Sequence, residues 1–294
     1  MYSEISANKR KSIFLVFGFI VFVTAIAYGI GWYLQSYAIT IIALVIAIFY
    51  AYWSYFHSDK TALSMNNAVE IKKEDNPRLW RIVENLSITV GIQMPNVYII
   101  EDNAPNAFAT GRDPKHASIA VTSGLLDIMN DDELQGVIAH ELGHVQNYDI
   151  RVAMVVFGLV VVISLISDIA IRYMFFGGRG RSNNNDNNPL ILIVVIVSLI
   201  LAPIVATIIQ LAISRKREYL ADATGALTTR YPQGLASALE KIKEYGSALQ
   251  KQNTSTAHLF FANPLKGHSF SNLFSTHPPI DDRIKRLQEM GNKA

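Results

Sequence analysis

The chain contains no cysteine, which removes disulfides, thiolate metal sites and a cysteine nucleophile from consideration. Any metal chemistry must rest on His, Asp and Glu. Charge is also scarce: Asp, Glu, Lys and Arg make up 17% of the residues, and the formal net charge is only +2. With so little positive excess and no basic stripe interleaved with aromatics, nucleic acid is not an expected partner. Apolar residues fill the gap, at 50% of the 294 positions. The mean hydropathy is +0.23, which is unusual for a soluble enzyme and expected of a membrane protein.

The apolar residues are gathered into long runs. After Lys9, Arg10 and Lys11, the stretch from Ile13 to Leu34 carries no charge and is long enough to cross a bilayer core of about 30 Å. Ala25, Ile26 and Ala27 resemble a signal-peptide cleavage site, but the run continues into Trp32 and Tyr33, which look like interface anchors. It therefore reads as a transmembrane span. A second run, Ala38 to Phe56, follows so closely that residues 13–56 must form an antiparallel hairpin. A third, Val152 to Ile171, carries Asp168 near its far end, where it reads as an interfacial residue close to Arg172. Residues 177–188, GGRGRSNNNDNN, have nothing to bury and read as a flexible polar loop. Leu190 to Ile213 is the fourth run, with Pro203 expected to kink it.

Four crossings place residues 1–12 and the soluble segments 57–151 and 214–294 on one side. That side carries Lys9, Arg10, Lys11, Lys60, Lys72, Lys73, Arg151, Arg215, Lys216 and Arg217, against Arg172, Arg179 and Arg181 on the other. By the positive-inside rule, both termini and both soluble segments are expected to be cytoplasmic.

In the first soluble segment, Asn76-Pro77 starts a helix that closes near Gly91. Val97 to Ile100 and Ala117 to Thr122 read as strands, with the small, turn-prone stretch Pro105 to Gly111 between them. A strand next to the helix that follows could bind an extended peptide by edge pairing, or it could be an ordinary structural hairpin.

That helix, from Asp131 onward, carries His140-Glu141-x-x-His144. Positions four apart lie one above the other on a helix face, so two imidazoles can share one metal ion. Glu141 points to where an attacking water would lie. Asp131 and Asp132 suit the helix start, and Leu134, Val137, Ile138, Leu142 and Val145 supply an apolar face. Taken alone, the pattern also fits two surface histidines on an amphipathic helix. His144 would lie only about 12 Å along the helix from the third run, putting the site at the membrane surface.

A catalytic zinc usually takes three protein ligands. A third histidine six positions after His144 is absent, because Ile150 stands there. Glu218, just beyond the fourth run, is separated from His144 by two spans and so emerges on the same face. Asp222, one turn later, could accept a hydrogen bond from the far nitrogen of a ligand histidine. His277, held before Pro278 and Pro279, could donate to a tetrahedral oxyanion. Arg283 could pair with Asp222 or another carboxylate of the site. His57, His116, His258 and His268 have no comparable setting and read as loop or solvent residues.

Together, HELGH, REYLAD after a membrane hairpin, HPPIDDR and the upstream PNAFATG resemble the HtpX family of membrane-integrated zinc endopeptidases, relatives of the CAAX prenyl proteases. The resemblance covers nearly the whole chain. It implies a mainly α integral membrane protein with four transmembrane helices and a cytoplasmic α+β, zincin-like (gluzincin) catalytic domain containing a small β-sheet. It implies one Zn2+ per chain on His140, His144 and Glu218, with Glu141 as base. It assigns substrate-strand contact to Asn106, Ala107, Phe108, Ala109, Thr110 and Gly111. The implied role is quality control of misfolded or damaged membrane proteins, as in a stress response, at the cytoplasmic face of a bacterial plasma membrane. Its partners would be polypeptide substrates, the lipid bilayer and other quality-control proteases.

Neutral imidazoles are required as ligands, so activity should fall as pH drops and His140 and His144 protonate. The polar flanks of the motif argue against a site inside the bilayer. Four spans look few for the lipid-accommodating chamber of prenyl-protein processing. A non-catalytic scaffold with a structural metal would have no need of Glu141.

Overall fold

The computed structural model describes residues 2–33, 35–176, 215–246, 249–250, 255–262 and 278–292. The polar loop 177–188, the fourth apolar run, His268 and His277 lie outside the described residues. The first two runs are helices α1 (Tyr2–Tyr33) and α2 (Ala38–Met65). Both helices extend beyond their apolar windows, because residues 2–12 and 57–65 contain neither proline nor glycine to stop the backbone ladder. They end near residues in the left-handed region, Gln35 and Asn67, each at φ 53°.

Both helices turn large apolar side chains outward. Phe14 is 74% exposed and Phe49 68%, a surface suited to lipid rather than water. These two helices have the length and composition of membrane spans. A third candidate comprises α5 (Asp131–Gln146) and α6 (Asp149–Phe176), a pair bent by 79°. The break falls at Asn147 and Tyr148, where Tyr148 adopts φ 61°. α1 packs on α6 through Leu15, Phe19, Val152, Val156 and Leu159.

The soluble part is built on a four-stranded sheet of β1 (Val69–Glu70), β2 (Asn96–Ile100), β3 (Ala107–Gly111) and β4 (Ala117–Thr122). The spatial order is β1-β2-β4-β3. β2 runs parallel to β4 with Asn96 opposite Ser118, and β3 runs antiparallel to β4 with Ala107 opposite Val121. The stretch that looks turn-prone in sequence is thus largely an edge strand. It is buried along its whole length, with small residues on one face and Phe108 on the other. Ala107 and Ala109 pack in the main core with Val137, Ile138 and Leu142 of α5, while Phe108 packs with Met154 and Phe157 of α6.

Around the sheet stand α3 (Pro77–Val90), α4 (Ser123–Ile128), α7 (Arg215–Thr229), α8 (Pro232–Tyr245) and α9 (Ile280–Gly291). α3 has the expected start and stop. The Asn76 side chain accepts from the Leu79 N–H at 2.9 Å, and Gly91 closes the helix at φ 71°. The cap of α5 is Asn130, one residue before the aspartates. Asn130 Oδ1 accepts from the Glu133 N–H at 2.9 Å and Glu133 Oε2 from the Asn130 N–H at 2.8 Å, a reciprocal capping box. Glu133 also accepts from Ser237 and Lys241 of α8, both at 2.7 Å, fixing the start of the motif helix to its neighbour.

Two glycines set how closely α5 is approached. A Cβ on Gly136 would lie 2.8 Å from the Leu235 Cα, and one on Gly225 would lie 3.0 Å from the His140 backbone nitrogen. Gly136 costs the helix some propensity, but it admits the backbone of α8. Gly225 brings α7, and with it Glu218, against the motif.

Candidate metal centre

α5 presents His140 and His144 one turn apart, and α7 brings Glu218 to face them. One ligand atom from each residue lies within 4.8 Å of the others. The two imidazole Nε2 atoms are 3.1 Å apart, and Glu218 oxygens stand 3.9 Å from His140 Nε2 and 3.6 Å from His144 Nε2. A tetrahedral ion with ordinary zinc–nitrogen bonds needs neighbouring ligand atoms about 3.3–3.4 Å apart. The three groups therefore fit a single ion.

Each imidazole is oriented from behind by a carboxylate. His140 Nδ1 donates to Asp222 Oδ1 at 2.9 Å, and His144 Nδ1 lies 3.0 Å from Asp149 Oδ2. Occupying Nδ1 leaves the Nε2 lone pair of each neutral ring for metal. Asp222 is thus hydrogen-bonded to the far nitrogen of His140. Asp149, which in sequence looks like a polar flank, has the same relation to the second histidine. The only sequence cue to it is an acid placed directly after the helix break.

Arg283 of α9, 2% exposed, donates to both Asp222 oxygens, from Nε at 2.9 Å and from Nη2 at 2.7 Å. This is the pairing with Asp222 that the sequence suggested.

The electrostatics of the two histidines differ. Burial pushes His140 down to about 4 despite the Asp222 hydrogen bond. Burial acts the same way on His144, but the Asp149 hydrogen bond and the charges of Glu218, Asp149 and Glu141 outweigh it and raise His144 to about 9. Burial would raise Asp222, yet the Arg283 charge and the His140 hydrogen bond bring it down to about 2.

Glu141, 3% exposed, lines the same small cavity, which has about 60 Å³ of free space. Ala109 of β3 forms one wall, and Arg217 and residues 258–261 contribute others. His258, taken from sequence for a loop or solvent residue, is in fact buried beside this cavity, and burial lowers it to about 4. His116 is exposed as expected, and so is His57.

The candidate substrate strand, Asn106 to Gly111, runs along the edge of the sheet, and that edge is partly engaged. Phe261 N–H donates to the Ala107 carbonyl at 2.8 Å. The Asn106 side chain donates to the Ala262 carbonyl at 2.8 Å and accepts from its N–H at 3.0 Å. The Phe261 ring stands edge-on to His140, 4.9 Å between centroids, and under the Arg283 guanidinium at 4.8 Å. Phe108 is buried against Phe260, and the Thr110 hydroxyl donates to Met154 Sδ at 2.7 Å. Since Asn106 and Thr122 bond each other, alternation along the ladder directs the main-chain groups of Ala107, Ala109 and Gly111 to the open edge.

A two-histidine, one-glutamate centre carrying a glutamate inside HExxH, joined to helices that can cross a bilayer, defines a membrane metalloprotease. Comparison with known proteins agrees. The model of peptidase family M48 matches residues 73–291, and the chain belongs to that family. It is 52% identical over 293 residues to a protease HtpX homolog of Tropheryma whipplei (strain Twist), covering 100% of this chain and 99% of the relative. It is 45% identical over 298 residues to the corresponding protease HtpX homolog of Lactobacillus acidophilus, covering 99% of this chain and 100% of the relative. Among solved structures, Ste24p of S. mikatae has a similar fold, with a TM-score of 0.51 at 21% identity, covering 98% of this chain and 67% of that one.

Proposed function

We propose that this membrane metalloprotease is a zinc endopeptidase that cleaves misfolded or damaged membrane proteins at the cytoplasmic face of a bacterial inner membrane, alongside other quality-control proteases. The observation that carries the reading is the convergence of His140, His144 and Glu218 within one ligand shell, with Glu141 lining the same cavity. Two imidazoles and a carboxylate are a donor set for zinc. When bound, zinc supplies a Lewis acid that acidifies water and polarises the scissile carbonyl.

The chain's own residues do the rest. Glu141 takes the proton of the attacking water and passes it to the leaving amine as the C–N bond breaks. Asp222 and Asp149 keep both imidazoles in the tautomer that leaves Nε2 free. Arg283 neutralises Asp222, so that the carboxylate holds His140 without leaving an unpaired buried charge. The main-chain groups of Ala109, in the cavity wall and on the open edge of β3, are placed to pair with an extended peptide. A peptide that pairs along this edge as far as Ala107 displaces the Phe261 N–H from the Ala107 carbonyl. His277 is assigned in this proposal as a donor to the oxyanion of the tetrahedral intermediate.

The topology completes the proposal: four spans, with both termini and both catalytic segments cytoplasmic, following the distribution of Lys and Arg. The test is cleavage of an unfolded model protein by purified, detergent-solubilised chain, comparing wild type with Glu141→Gln. If both bind one zinc and only wild type cleaves, the proposal holds. If wild type binds zinc and cleaves nothing with lipid restored, the scaffold reading replaces it.

A further inference from the structure

Helix α1 enters the site through an uncharged residue. Asn8, four residues into the chain beyond Glu4 and before the apolar window begins, is buried at 4% exposure. Its Nδ2 donates to the Asn147 carbonyl and to Asp149 Oδ1, both at 2.8 Å. Both partners are pure acceptors, so the amide orientation is fixed: the nitrogen must face them. Asp149 accepts from His144 Nδ1 on its other oxygen, Oδ2, at 3.0 Å. Arg217 Nη1, next to Glu218 in α7, reaches Asp149 Oδ1 at 3.3 Å.

We infer that Asn8 is a positioning residue for the metal centre, holding Asp149 and the Asn147–Tyr148 turn so that the His144 ring presents Nε2 to the ion. The geometry around the turn explains why an outside hand is needed. Asp149 begins a new helix after a 79° bend, so α5 alone does not fix its carboxylate relative to His144. Asn8 binds the turn and the carboxylate at once, with the two protons of a single amide. The first membrane helix is then part of the metal site, and not only its anchor. Metal binding becomes coupled to the docking of α1 against α6.

This rests on the proposed zinc site, so the test reads metal affinity rather than proteolysis. Zinc competition against a chromophoric chelator is measured on the full chain in detergent for wild type, Asn8→Ala, Asn8→Ser and Ser12→Ala. Ser12 is also buried on α1, but among the described residues its hydroxyl donates to the Asn8 carbonyl of its own helix and to no group of the metal centre. Loss of an orienting partner behind a metal ligand typically weakens binding roughly 10–100-fold. Asn8→Ala should show a loss of that size, Asn8→Ser a smaller one, and Ser12→Ala none. The visible spectrum of the cobalt-loaded protein should shift in the Asn8 variants alone.

Wild-type affinity and spectrum in Asn8→Ala overturn the inference, as does an equal loss in Ser12→Ala, which would make the effect one of helix packing. Should Asn8→Ala fail to fold, Asn8→Ser is judged against Ser12→Ala by the same criteria. A wild type that binds no zinc would instead sink the proposed function itself.

Discussion

Arg283 offers a sharp energetic test. It is 2% exposed, and it grips Asp222 through two charge-assisted hydrogen bonds of 2.9 and 2.7 Å. Replacing it by Met keeps much of the volume but leaves the Asp222 carboxylate buried, with His140 Nδ1 as its remaining close donor. Removing one partner of a buried ion pair costs roughly 3–5 kcal/mol. At about 2–4 °C per kcal/mol for chains of a few hundred residues, the midpoint of thermal unfolding should fall by on the order of 6–20 °C. Asp222→Asn, which strands the guanidinium, should cost a similar amount. The double variant removes both charges and should be more stable than the sum of the singles predicts, by roughly 0.5–3 kcal/mol. Arg283→Lys should sit between, since an ammonium cannot reproduce the planar fork. The assay is thermal unfolding of wild type and the four variants in the same detergent, without added metal. Additive losses, or an Arg283→Met protein within 1 kcal/mol of wild type, would refute the claim that this pair is a coupled, desolvated unit.

The metal site should titrate. With His144 raised to about 9 and His140 lowered to about 4, the metal-free site between those values holds one proton on His144. That proton must leave when the ion binds, so zinc affinity should rise by about one log unit per pH unit up to about pH 9 and then level off. Competition titrations across this range measure it, and a flat profile contradicts it. Gly225→Ala would place a methyl 3.0 Å from the His140 nitrogen. Its helix-propensity gain should be outweighed by overpacking of roughly 1–3 kcal/mol, with weaker zinc binding, read by unfolding and metal titration together. Ala109→Pro deletes the N–H that faces the open edge of β3 while leaving the β4 ladder intact. Peptidase activity should drop at least about tenfold with zinc content unchanged, whereas retained activity would show that peptides do not pair there.

The parts of the site that follow helical period were legible in sequence. His140, Glu141 and His144 sit on one helix by spacing alone, and the match of Glu218 to them followed from counting membrane runs. The relation of Asp222 and Arg283 was visible only as one of two options, since the sequence offers Arg283 either Asp222 or another carboxylate of the site. β3 was harder. Ala107, Ala109 and Gly111 have poor strand propensity, and they are small because α5 and α6 press on the two faces of the strand, which only tertiary structure reveals. His258 carries no local sign of burial. Asp149 reads as an ordinary polar flank of the motif, and Asn8, 141 residues away in the chain, carries no sign of a role. Their roles come from the bend at Tyr148 and the docking of α1, neither of which has a periodic signature.

The most direct test of the central claim is zinc K-edge X-ray absorption on the purified protein, alongside Glu218→Gln. The absence of cysteine excludes thiolate sulfur from the site. The account predicts one zinc per chain in a four-coordinate nitrogen and oxygen shell at about 2.0–2.1 Å, with the outer scattering of two imidazoles, and loss of that signal or of bound zinc in Glu218→Gln. An oxygen-only or six-coordinate shell, or an unchanged spectrum and affinity in Glu218→Gln, would contradict it.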